Sequence, residues 1–282
     1  MQILSVQSSV AFGHVGNSAA VFPLQRLGHE VWPVLTVHFS NHTGYGAWRG
    51  PMLSPDDVRE VVTGIEERGA LGVDAVLTGY QGDPAMGHVV LDTVARVRAL
   101  NPDARWCCDP VMGDVGRGMF VKPGIPELMR DEVVPAADVI TPNHFELDFL
   151  SGRTTTTLAE VLDAVDVVRA TGPRDVLVTS VVHDGTAEGT IDVVAVSDAG
   201  AWAVTTPLLP ITPNGCGDLT AALYLAHLTT TGSPATALER TTSTVFAVLE
   251  RTVALGRREI ALVDSQDAIA DPPATFTARV LR

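Results

Sequence analysis

The segment Pro213-Asn214-Gly215-Cys216-Gly217-Asp218 runs directly into an apolar stretch that begins at Leu219. Glycines at 215 and 217 let successive backbone N–H groups turn into one concavity, and a following helix adds the positive end of its dipole. Such a concavity suits a phosphate on which charge develops during transfer. Asp218, at the same helix start, can accept a proton from an attacking hydroxyl. It can equally be a helix cap behind a glycine turn. A second cluster is acidic, Asp109-Pro110-Val111-Met112-Gly113-Asp114 followed by Asn143-His144-Phe145-Glu146. The carboxylates of Asp109, Asp114 and Glu146 at neighbouring strand ends can hold Mg²⁺ through water, because magnesium keeps several of its waters. Asn143 and Glu146 also have the spacing of a capping box. A third cluster, Phe39-Ser40-Asn41-His42-Thr43-Gly44-Tyr45-Gly46-Ala47-Trp48, is aromatic, polar and hinged by glycines. That composition fits a loop covering a substrate, or a surface turn anchored by its aromatics. Cys216 has no base beside it in sequence and reads as a small residue of the anion hole, whereas Cys107 and Cys108 sit in an apolar strand.

Positioning these groups requires a scaffold, and the order of segments supplies one. Apolar runs at 3–8, 31–37, 73–78, 105–109, 137–141 and 175–179 lack polar alternation and are separated by helical stretches. That pattern predicts a mostly parallel sheet buried on both faces. Helix starts are marked at Gly16-Asn17-Ser18, Ser54-Pro55-Asp56-Asp57 and Asp83-Pro84. Thr190–Val196 and Ala201–Thr205 flank Ser197-Asp198-Ala199-Gly200 and predict a small antiparallel hairpin. The remainder is helical over 218–229, 233–255 and 265–270. No linker or repeat divides the chain, so a single α/β domain over residues 1–282 is expected. In such sheets ligands bind outside the carboxyl ends of the strands. Gln7-Ser8, Ser40–Thr43, Gly79-Tyr80, Asp109, Thr141-Pro142-Asn143, Thr179-Ser180 and Gly215–Asp218 then converge on one rim.

Composition removes several alternatives. The net charge of −14 argues against binding nucleic acid or an anionic membrane, both of which need a basic footprint. No apolar run approaches the roughly 18 residues needed to span a bilayer. Met1-Gln2-Ile3-Leu4 lacks a secretory start, and three cysteines make no disulfide framework, so the cytoplasm is the expected compartment. Only one of the 19 basic residues, Lys122, is a lysine, and its surroundings are not a P-loop. The eight histidines include no zinc-type pair around a glutamate. A dehydrogenase is excluded because Ser8–Gly13 after the first strand is not G-x-G-x-x-G.

The residues Gln7-Ser8, Gly13–Ala20, Phe39–Tyr45, Leu77–Tyr80, Cys108–Asp114, Ile140–Glu146 and Gly215–Asp218 resemble the corresponding segments of pyridoxal kinases in the ribokinase-like superfamily. The resemblance covers essentially the whole chain. Gly-Cys-Gly-Asp alone indicates the superfamily, and Ser-Asn-His-Thr-Gly-Tyr with Thr-Gly-Tyr narrows it to the pyridoxal branch. The resemblance implies ATP-dependent phosphorylation of the 5′-hydroxymethyl group of pyridoxal, and often of pyridoxine or pyridoxamine, in vitamin B6 salvage. It implies Asp218 as base and Gly215, Cys216 and Gly217 as anion hole. Ser8, Thr43, Gly44 and Tyr80 would contact the pyridine substrate. Asp109, Asp114 and Glu146 would organise Mg²⁺ and the ATP phosphates, with a monovalent cation as a further candidate. Thr141, Asn143, Thr179, Ser180, Cys216 and the segment Leu209-Pro210-Ile211 would line the nucleotide site. A homodimer is also implied. Two positions depart from the pattern, since some relatives carry lysine where Thr179 stands and tyrosine where Phe120 stands. Lysine scarcity fits a pocket that must not trap an aldehyde, and equally fits an arginine-rich composition. The alternatives are a kinase for hydroxymethylpyrimidine or another small alcohol, and a B6-binding protein without catalysis. The latter would be marked by a damaged Gly-Cys-Gly-Asp or missing acids, which are intact here.

Overall fold

In the computed structural model, which describes residues 1–282, the apolar runs become strands and the intervening stretches become helices. The strands are β1 (Gln2–Val10), β2 (Glu30–Phe39), β3 (Ala75–Thr78), β4 (Arg105–Cys108), β5 (Gly113–Asp114) and β6 (Gly118–Met119). They continue as β7 (Val139–Ile140), β8 (Asp175–Val181), β9 (Thr190–Ser197), β10 (Gly200–Pro207) and β11 (Arg279–Val280). The helices are α1 (Asn17–Arg26), α2 (Pro55–Glu67), α3 (Pro84–Leu100), α4 (Ile125–Leu128) and α5 (Val134–Ala136). After them come α6 (His144–Ser151), α7 (Leu158–Arg169), α8 (Cys216–Thr231), α9 (Pro234–Ala254) and α10 (Gln266–Ala270).

Nine strands form one sheet in the order β11-β10-β9-β8-β7-β4-β3-β1-β2. The six from β2 to β8 in that order are parallel, and β9, β10 and β11 each run antiparallel to the neighbour before them. The expected hairpin is β9–β10, and it extends the main sheet. A second, two-stranded ribbon of β5 and β6 stands apart from it. The fold is the ribokinase-like architecture expected from the sequence.

The pleat sends successive residues of β1 to opposite faces. Ile3 packs with Leu77 and Leu177 against Ala20 and Leu24 of α1, Tyr224 and Leu225 of α8, and Leu238 of α9. Leu4 packs with Val76 and Val176 against Val58 of α2, Met86 and Val90 of α3, Leu147 of α6 and Val165 of α7. Both faces being covered, all residues of β3 and β7 are buried, which explains their lack of polar alternation. Helix α8 lies between the sheet and its neighbours, and every residue from Leu219 to Leu228 is buried. A helix so enclosed needs no polar face, hence its continuous apolar run.

Several helix starts carry the chemistry that marked them. Ser54 and Asp57 form a capping box on α2 with Pro55 in the first turn, and Asp83 accepts from the Ala85 amide at the start of α3 (3.1 Å). Helix α7, which no expected segment covers, begins with another such box, Thr157 with Glu160. The chain order reverses at β1, with β2 on one side and β3 on the other. The crevice above the carboxyl ends of these strands is the switch point at which such sheets bind ligands.

Candidate active site

Gly215 caps α8 with φ +88°, and no side chain caps the helix. A Cβ at this position would lie 1.8 Å from the His14 carbonyl oxygen, so only glycine fits. Asp218 therefore sits three residues inside the helix start and is not its cap. Burial raises the Asp218 carboxyl above its ordinary range, opposed in part by the amides of Gly16 and of Asp218 itself. Gly16 in turn packs on Ser8, since a Cβ there would meet the Ser8 carbonyl oxygen at 2.1 Å. The proposed base and the residue at the end of β1 are thus linked through one glycine. Cys216 is held as a thiol, its pKa pushed up to about 12 by burial and by the nearby Asp218. That fits an anion-hole residue and not a nucleophile.

The acidic cluster lies beside this helix start. Asp109 is buried, and one of its oxygens accepts from Thr141 Oγ1 at 3.1 Å. Its other oxygen, Oδ2, faces Gly217, where an added Cβ would stand 3.6 Å away. Burial first, then the charges of Glu146 and Asp218, raise the Asp109 carboxyl well above the usual range. Glu146 is buried and raised to about 8 by desolvation, while its oxygens accept from Met112 (2.8 Å), Gly113 (3.4 Å) and Asn143 (2.9 Å). The capping box between Asn143 and Glu146 is present, so the structural reading of that pair holds whatever else Glu146 does. Asp114 is half-buried on β5, its carboxylate accepting from Val115 at 2.7 Å. No three His, Cys, Asp or Glu side chains stand close enough to grip a metal directly. The three carboxylates expected to share Mg²⁺ are therefore neighbours and not a closed cage.

Two irregular strand ends place the flanking residues. The pairing of β1 with β2 shifts register between Gln7 and Ser9, leaving Ser8 at the break. The pairing of β8 with β9 shifts between Val178 and Val181, and Ser180 has φ +57°, the only non-glycine residue with positive φ. Such breaks re-aim side chains and concentrate near functional sites. Thr179 bridges to Asn143 and donates its amide to the Pro142 carbonyl (2.9 Å), so Thr141, Asn143, Thr179 and Ser180 line adjoining strand ends. Leu209-Pro210-Ile211 form the irregular connection from β10 towards Gly215, half-buried to exposed.

On the other side of the crevice, Tyr80 is half-buried against Val10, Val15, Val37 and Phe39, and its carbonyl accepts from Thr36 Oγ1 (2.8 Å). Thr43 and Gly44 form an exposed single turn of 3₁₀ helix with Tyr45. A Cβ on Gly44 would stand 3.8 Å from Asn214 Nδ2, so this loop reaches the residue just before Gly215. Lys122 donates to Asp83 (3.0 Å), lies 3.4 Å from the Met52 sulfur, and its charge acts on the Tyr80 hydroxyl. Phe120 is exposed beneath the Arg117 guanidinium, at 4.9 Å. Arg258 and Glu259 also reach the covering loop, and no motif marked them because 214 residues separate each from its partner there.

The sheet, its switch-point crevice and the glycine-lined helix start define a small-molecule kinase of the ribokinase-like class. Residues 52–263 match the family described as phosphomethylpyrimidine kinase. A pyridoxal kinase, PdxY, of Leifsonia xyli subsp. xyli is 59% identical over 277 residues, covering 98% of each chain. Another, of Rubrobacter xylanophilus, is 58% identical over 281 residues, covering 99% of this chain and 97% of that one. The solved pyridoxal kinase from Leishmania donovani in complex with ADP and pyridoxamine superposes with a TM-score of 0.92 at 29% identity, covering 100% of this chain and 99% of that chain. The chain belongs to the pyridoxal kinase family.

Proposed function

We propose that the protein phosphorylates the 5′-hydroxymethyl group of pyridoxal with ATP, giving pyridoxal 5′-phosphate and ADP, and acts on pyridoxine and pyridoxamine by the same route. The observation that carries this reading is the Asp218 carboxylate, not used as a cap, at the mouth of α8 beside Gly215–Gly217. Asp218 takes the proton of the 5′-hydroxyl as its oxygen attacks the γ-phosphorus. The bond from that phosphorus to the β-phosphate bridging oxygen breaks, and its electrons leave with ADP. The Gly215–Gly217 amides and the α8 dipole meet the charge spread over the transferring oxygens.

Ser8 and Tyr80 at the strand ends and Thr43 and Gly44 on the covering loop hold the pyridine ring. Thr141, Asn143, Thr179, Ser180 and Leu209-Pro210-Ile211 hold the nucleotide. Asp109 fits a divalent cation, being a buried carboxylate with one oxygen open towards Gly217 and two acidic neighbours whose repulsion a cation relieves. Asp109 would hold Mg²⁺ through water, with Glu146 and Asp114 behind it, and the bound ion would neutralise charge on the ATP phosphates. A monovalent cation, a homodimeric assembly and a cytoplasmic setting belong to the same proposal. No helix is long and apolar enough to cross a membrane.

An ADP-release assay with pyridoxal, pyridoxine, pyridoxamine and hydroxymethylpyrimidine tests the reading. Turnover on the three vitamers, abolished by excess chelator and restored by magnesium, is the expected result. Turnover on hydroxymethylpyrimidine alone would transfer the chain to the second substrate class. Full activity in chelator would remove the metal from the scheme.

A further inference from the structure

We propose that Glu259 is a positioning residue that latches the covering loop, through Tyr45, to the backbone beneath the anion hole. This rests on the reading of Thr43–Tyr45 as the turn over the substrate. One Glu259 oxygen accepts from the Tyr45 hydroxyl at 2.5 Å, and the other accepts from the His14 amide at 3.1 Å. His14 is the residue whose carbonyl lies against Gly215. A single carboxylate therefore joins the loop from β2 to the segment that abuts the helix start.

The surroundings are shaped to this contact. Gly13 has φ +90°, and a Cβ there would stand 2.1 Å from a Glu259 oxygen, so the missing side chain leaves room for the carboxylate. Arg258, the preceding residue, donates to the Gly44 carbonyl at 3.0 Å and lies over the Tyr45 ring at 3.8 Å. Phe12 meets the same ring edge-on, with centroids 6.1 Å apart. The three-residue turn is held from three directions, although Thr43 and Gly44 are exposed and bury nothing of their own. A loop so held has less conformational freedom to lose when it closes on a ligand, and that saving appears as substrate affinity. The latch touches neither the nucleotide strand ends nor Asp218, so its main effect falls on the substrate beneath the loop.

Glu259→Ala removes both acceptors, Glu259→Gln keeps one, and Tyr45→Phe removes the hydroxyl while leaving the ring under Arg258. In the ligand-free protein, amide hydrogen exchange over residues 42–46 accelerates in Glu259→Ala and Tyr45→Phe, with α8 unchanged. In steady-state kinetics, Glu259→Ala raises KM for pyridoxal about tenfold or more, the scale of a lost hydrogen bond to a charged group. KM for ATP moves less than about twofold, Glu259→Gln is intermediate, and the double variant Glu259→Ala/Tyr45→Phe is no worse than Glu259→Ala, as expected for one shared contact. Unchanged exchange at 42–46 would overturn the latch, as would equal rises in both KM values or multiplicative effects in the double variant. Should the wild-type protein leave pyridoxal untouched, the proposed substrate fails while the exchange measurement still decides the latch.

Discussion

At the level of single residues, the proposed mechanism rests on the setting of Asp218. Asp218→Asn keeps the volume and removes the base, so kcat falls about 10²–10⁴-fold while substrate binding persists. The pH dependence has a definite sign. The base works deprotonated, and burial lifts its carboxyl above the ordinary aspartate range. Activity is therefore full on the alkaline side and is lost as pH falls through the raised value, earlier than an exposed aspartate would allow. A kcat/KM profile measures this limb, and an ordinary carboxylate midpoint would count against Asp218 as base. Cys216 is expected to act through its amide, so Cys216→Ala should change kcat by less than about fivefold.

At the level of elements, the helix start and the strand breaks do the positioning. Gly215→Ala forces a side chain into a left-handed conformation against the His14 carbonyl. The strain alone costs about 1–3 kcal/mol, and turning the amides away adds a loss of kcat. Thermal melting and kcat should fall together, whereas a normal kcat would separate the turn from catalysis. Most elements were legible in the sequence because their signals are local: Ser54 and Asp57 start α2, Asp83-Pro84 start α3, and unbroken apolar runs mark the buried strands. The hairpin β9–β10 was legible for the same reason. The chemistry-bearing segments were legible because each follows a strand. The breaks at Ser8 and at Thr179-Ser180 were not, since a register shift depends on the partner strand. Nor were the Glu259–Tyr45 and Lys122–Asp83 contacts, which pair residues far apart in the chain with no periodic signal to connect them.

At the scale of the whole molecule, a net charge of −14 is compatible with a site for a polyanion because amides and a helix dipole act locally, together with the cation of the proposed mechanism. Stability should also depend on the enclosed helix α8. His227 is buried with an unpaired Nε2, and burial together with Arg240 and His29 lowers its pKa from 6.5 to about 4. The unfolded chain takes up a proton at the ordinary value and the folded chain resists until the lower one. Folding stability contributed by neutral His227 is therefore present above the unfolded value and falls as pH drops from 6.5 towards 4. Because the raised Glu146, Asp109 and Asp218 carboxyls act with the opposite sign, the His227 share is read by comparison: between about pH 7 and about pH 5 the unfolding free energy from urea titration should change by on the order of 2 kcal/mol less favourably in the wild type than in His227→Leu. The same pH dependence in both proteins would exclude this histidine as a contributor.

Because Lys122 is the sole lysine and its charge acts on the Tyr80 hydroxyl, an amine-selective fluorophore would report from one known spot beside Asp83 and Met52. The amine at Met1 precedes β1, at the amino end of that strand, whereas the cleft lies at the carboxyl ends. Vitamin occupancy could then be followed optically in the unaltered polypeptide, something a protein of ordinary lysine content permits only after extensive mutagenesis.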